Sequence, residues 1–114
     1  MNIFWLHDNP YVNAKYHCDK HIKKMVLETA QMLSTAVHMV GAPTSKVYKK
    51  AYMNHPCTVW ARESFDNFLE LWQLGIALGE EWSYRYGRKD KPIHKSYEVI
   101  KRMDLDPIGD KFLQ

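Results

Sequence analysis

Ile22, Met25, Val26, Leu33, Val37 and Val40 recur at the spacing of one face of an α-helix, and Gly41 follows the last of them. A strand repeats every second residue and cannot produce this pattern, while a glycine at that point is a common helix stop because it accepts a left-handed backbone. A long amphipathic helix is therefore predicted, and the rest of the chain must supply a cover for its apolar face. With 114 residues the chain has enough apolar surface for one core and no second. The expectation is all-α: a compact single-domain helical bundle spanning residues 1–114, with two long helices.

Asp8-Asn9-Pro10 reads as a helix start, with Asn9 as cap and Pro10 in the first position, opening one helix or a broken pair. Ala42 to Ser45 reads as a loop, and Lys46 to Tyr52 as a short basic helical turn. Asn54-His55-Pro56 is a second start signal. The segment Thr58 to Tyr86 predicts a second long helix, or two with a bend near Gly75 and Gly79. A basic loop from Arg85 to Pro92 leads into a short helix from about Ile93 to Met103. Asp106-Pro107-Ile108-Gly109 is expected to break whatever follows.

No apolar run is long enough to cross a bilayer, which argues against a membrane protein. The N-terminus MNIFWLHDNP lacks the features of a secretory signal, so Cys18 and Cys57 are expected in a reducing cytoplasm, that of the host if the protein is phage-encoded. Four Trp and seven Tyr exceed what a core of this size hides, so some rings should face a ligand. The net charge of +3 favours a polyanionic partner only mildly.

His17, His21, Lys24, Glu28 and Gln31 are spaced by four, three, four and three residues, which on a continuous helix places them in one row beside the apolar stripe. As a solvated face the row offers little more than a Lys24–Glu28 ion pair. As a site, a carboxylate, an amine and imidazoles close together can move protons or attack a substrate, with Glu28 as the acid/base. Histidines four apart on a helix can also share a divalent metal, with Asp19, Glu28, His55 or Cys57 completing the shell, although no paired metal motif accompanies them.

His55, at the start of the second long helix, either caps that helix or helps hold a phosphate at its N-terminus. Arg85, Arg88, Lys89, Lys91, His94 and Lys95 cluster with Tyr84, Tyr86 and Tyr97, a mixture suited to gripping a phosphate backbone and stacking bases. Lys20, Lys23, Lys46, Lys49 and Lys50 add further basic clusters. DNA is the expected partner.

The succession Trp5-Leu6-His7, Asn9-Pro10-Tyr11, Glu28-Thr29-Ala30-Gln31, His55-Pro56 and Arg85-Tyr86-Gly87 resembles the small all-helical pyrimidine-dimer DNA glycosylases of phages and their bacterial relatives. The segment His17-Cys18-Asp19-Lys20-His21 resembles one found in short uncharacterised phage proteins. The first resemblance implies a DNA-repair enzyme that removes a damaged pyrimidine. In that family an N-terminal amine attacks the sugar C1′ to give a Schiff base, and a glutamate on the first long helix, matched here by Glu28, assists strand cleavage. It also implies basic side chains on the phosphates of a kinked duplex and a base flipped out of the stack. Asn2 is too bulky for efficient removal of the initiator, which assigns the amine to Met1, with Lys24 as a substitute nucleophile.

The leading expectation is thus a DNA glycosylase, with or without lyase activity and needing no cofactor. Its catalytic set is Glu28, Lys24, His21, His17 and Met1, and its nucleic-acid contacts are His55, Arg85, Arg88, Lys89, His94 and Lys95. A metal-dependent hydrolase of nucleotides or nucleic acid with histidine ligands is a second reading, and a non-enzymatic nucleotide- or nucleic-acid-binding protein a third.

Overall fold

The computed structural model describes residues 9–17, 19–87 and 93–113, so Met1, Arg88 and Lys89 lie outside the described residues. Within them the secondary structure is entirely helical: α1 (Pro10–Tyr16), α2 (Asp19–Val40), α3 (Pro56–Glu63), α4 (Phe65–Tyr86), α5 (Lys95–Lys101) and α6 (Leu105–Phe112). The two long helices are α2 and α4, each 22 residues.

Both proline start signals act as read. Asn9 accepts from the amides of Tyr11 and Val12 at 2.9 and 3.3 Å, with Pro10 in the first turn of α1. His55 accepts from the Cys57 amide at 3.1 Å at the head of α3. Helix α2 stops at Gly41, whose φ of +83° lets its amide reach the His38 carbonyl while the Ala42 amide reaches Val37.

Helix α2 is the hub of the core and packs on α3, α4, α5 and α6. The stripe is buried from Ile22 to Val37 and partly buried at Val40, but burial goes further: from Glu28 to Val37 only Gln31 is not buried. A helix sheltered on nearly every face must satisfy its polar side chains internally. Ser34 Oγ donates to the Ala30 carbonyl at 2.7 Å and accepts from the Tyr48 amide at 3.2 Å. Thr35 Oγ1 lies 2.7 Å from the Ala51 carbonyl and 2.9 Å from the Gln31 carbonyl, and accepts from the Ala51 amide at 2.9 Å.

These bonds correct the helical turn expected at Lys46 to Tyr52. Only Ser45 and Lys46 form a turn, and the following residues run without helix because their backbone groups bond to α2 side chains instead. Thr35→Val keeps the shape of the side chain but strands the Ala51 amide and carbonyl. It is expected to cost about 1–3 kcal/mol, read as a lower denaturation midpoint with faster proteolysis at residues 48–52. An unchanged midpoint would show that water replaces the hydroxyl.

The segment Thr58 to Tyr86 is divided, but not at its glycines. Ser64 takes an extended conformation, and its hydroxyl accepts from the Asn67 amide at 3.1 Å, ending α3 and capping α4. Helix α4 then runs unbroken through Gly75 and Gly79, which instead let α5 approach. A Cβ on Gly75 would sit 2.8 Å from Ile100 Cδ1, and one on Gly79 would enter the Tyr97 ring. Trp72 Nε1 donates to the Ile100 carbonyl at 3.0 Å and secures the far end of α5.

The expected break at Asp106 to Gly109 is also corrected. Pro107 falls in the first turn of α6, where its missing N–H removes no helical bond. Phe112 then packs on Phe65 and Phe68 with ring centroids 5.5 and 5.8 Å away. No helix among the described residues is long and apolar enough to cross a membrane.

Candidate functional site

Glu28 and Lys24 share a face of α2 as the spacing requires, with Lys24 Nζ 3.8 Å from Glu28 Oε1. Their environments differ sharply: Glu28 is 8% exposed, whereas the Lys24 side chain is 70% exposed. The ion pair itself is therefore worth only a few tenths of a kcal/mol, roughly that of any exposed helical pair. What distinguishes the place is a carboxylate held nearly out of water with an ammonium at its mouth. His21, one turn before Lys24, is exposed.

His17 does not continue this row. It is the residue that ends α1, extended at φ −69° and ψ 136°, and α2 begins only at Asp19. Its ring is buried at 3% exposure, with Nδ1 2.9 Å from the Asn13 carbonyl. Its own carbonyl accepts from Arg85 Nη1 at 2.8 Å, and Arg85 Nε reaches Glu81 at 3.3 Å. Arg85 thereby fastens the end of α1 to the end of α4 rather than lying open to solvent.

Burial is the main cause that lowers the His17 pKa from 6.5, and the charges of His21 and Arg85 add to it against the opposing hydrogen bond to Asn13. Folded His17 thus resists a proton that the unfolded chain accepts. Its contribution to stability is complete above 6.5 and is lost as pH falls from there through the lowered folded value. A plot of melting temperature against pH should therefore slope downward below that point, and His17→Gln should flatten it. A slope identical in the two proteins would assign the acid sensitivity elsewhere.

Two cavities of about 620 Å³ each open on the surface, so size does not separate them. One is lined by Tyr11, Ala77, Glu80, Glu81 and Tyr84, with Glu81 already paired to Arg85. The other is walled by Leu27 and Gln31 of α2, the segment from Tyr48 to Ala51, and His94, Lys95 and Ser96 at the start of α5. Lys49, Lys50 and Lys95 are exposed there, and among the described residues no carboxylate lines it. Among the described lining residues, the second cavity is the one that presents cations to a polyanion.

The structure brings His94 and Lys95 together with Gln31 in this basic cleft, one helical turn from Glu28. His94 also caps α5, accepting from the Ser96 amide at 3.0 Å, and stands edge-on to Trp82 at 5.2 Å. His55 is the cap of α3 and does not line the cleft. Among the described residues, no group of three or more His, Cys, Asp or Glu is placed to hold a metal ion.

Leu27, Tyr48, Ala51 and Ser96 are the lining residues that the sequence did not single out. The signal that could have found Tyr48 is the pair Ser34-Thr35. Hydroxyls in the interior of a long helix disfavour it slightly unless they bond to something, and here they bond to the passing loop.

No curated protein and no solved structure matches the chain significantly. The family model described as pyrimidine dimer DNA glycosylase matches residues 1–95, which include α1 to α4, Glu28 and most of the basic cleft. On that match the chain belongs to the pyrimidine dimer DNA glycosylase family.

Proposed function

We propose that the protein excises damaged or modified pyrimidines from DNA, with Glu28 as the acid/base and an amine of Met1 or Lys24 as the nucleophile. The family acts on DNA, and the observation that carries the finer reading is Glu28 itself: a carboxylate 8% exposed, with an ammonium at 3.8 Å, beside a cleft rimmed by lysines. The amine attacks C1′ of the damaged nucleotide, the base leaves with the glycosidic electron pair, and loss of the ring oxygen's bond to C1′ gives the imine. Glu28 shuttles the protons that this ring opening needs, and in a lyase step it assists removal of the proton from C2′. Because the Lys24 amine is largely in water, it acts as nucleophile only if the substrate itself covers it.

The test is borohydride reduction of metal-stripped protein on a duplex carrying a thymine dimer or an abasic site. A covalent adduct on the damaged duplex, absent from undamaged DNA, is the expected result, and peptide mapping of the adduct assigns the amine to Met1 or Lys24. No adduct, together with nucleic-acid hydrolysis that returns on adding a divalent metal, would overturn the amine mechanism.

A further inference from the structure

The 48–51 segment is held as firmly as a regular element. Ser34 and Thr35 bind its amides, and His38 Nε2 lies 2.9 Å from the Tyr48 carbonyl. Across the cleft, Tyr48 Oη and Ser96 Oγ are 3.0 Å apart, a bond that ties the lysine-bearing loop to the start of α5. The two walls therefore keep a set spacing, and among the described residues their charged side chains are basic: Lys49 and Lys50 on one, His94 and Lys95 on the other.

We infer that this cleft is a preformed seat for the DNA backbone, in which Lys49, Lys50 and Lys95 hold successive phosphates beside the nucleotide that reacts at Glu28. Phosphate is the ligand class that fits several cations on one cleft with no acid among its described lining residues. Fixed walls reduce the ordering that binding would otherwise require. Gln31, which lines the cleft, follows Glu28 by three residues and so shares its face of α2. The placement beside the reacting nucleotide rests on the excision reading above, whereas the phosphate seat rests only on the cleft.

Anisotropy of a labelled, undamaged duplex across a range of salt concentrations tests the seat without any chemistry. Lys49→Gln/Lys50→Gln/Lys95→Gln is expected to bind at least tenfold more weakly at low salt, with the slope of log K against log salt shallower by roughly 2–3 units, about 0.9 for each phosphate released. The charge-matched control Lys101→Gln/Arg102→Gln/Lys111→Gln, at the end of α5 and on α6 and not lining the cleft, is expected to keep the wild-type slope. Tyr48→Phe, which removes the bridge to Ser96 but no charge, is expected to bind several-fold more weakly with an unchanged slope.

An unchanged slope in the cleft variant, or an equal loss in the control, would overturn the seat. A Tyr48→Phe variant that binds as wild type would overturn its preformed character. Binding through the cleft by a protein that never traps damaged DNA would leave the seat standing and reject excision. Normal trapping with an unchanged slope would do the reverse.

Discussion

Glu28→Gln is expected to lower base release from a thymine-dimer duplex by about 10²- to 10⁴-fold, the span of a positioned acid/base, while the protein stays folded and bound to DNA. The amide matches the carboxylate in shape, so burial at 8% exposure does not change the packing. The Lys24 ammonium loses a partner at 3.8 Å, but its side chain is 70% exposed and water replaces the interaction. Stability should therefore move by less than about 1 kcal/mol. Single-turnover rates, duplex affinity and melting temperature measured on the same preparations separate the two effects. A variant that melts normally and turns over at the wild-type rate would remove Glu28 from the chemistry.

Gly79→Ala is expected to destabilise the protein, although alanine is the better helix former by about 1 kcal/mol. The added Cβ would fall within the Tyr97 ring and 2.7 Å from Tyr97 Cβ. That neighbour is the base of a side chain on a packed helix, so α5 as a whole has to move. Overpacking of this kind costs about 1–3 kcal/mol, which lowers the melting temperature by several degrees for each kcal/mol. Gly75→Ala meets the tip of Ile100 at 2.8 Å, an end that can swing aside, and should be milder. A Gly79→Ala protein that melts higher than wild type would mean that propensity, not the close approach of α5, governs this position.

The glycines show where reading the sequence runs short. A glycine pair inside a helical pattern is compatible with a bend or with a close neighbour, and the decision rests on Tyr97 and Ile100, some twenty residues downstream. Signals that act within a turn were legible: Asn9-Pro10, His55-Pro56 and Gly41 each bond to amides or carbonyls only a few residues away. Ser64 is equally local but was hidden, because no apolar gap marks a one-residue interruption between α3 and α4.

The candidate site divides in the same way. Lys24 and Glu28 meet because both lie on α2, so their spacing was sufficient. The placing of His17 was not readable, since it depends on α1 ending there and on Arg85 reaching back across the chain to its carbonyl. The basic cleft needed the loop after α2 to fold back on Ser34 and Thr35, a contact between segments that no periodicity encodes.

The burial of α2 on nearly every side from Glu28 to Val37 also divides the molecule by how it opens. Amides in the centre of that helix reach water only when the surrounding helices all separate, so they report the free energy of global unfolding. The flank that carries Lys49 and Lys50 is tied to this centre at Tyr48 and Ala51 through Ser34, Thr35 and His38, so the amides of Tyr48 and Ala51 are expected to exchange far more slowly than those of an ordinary surface loop.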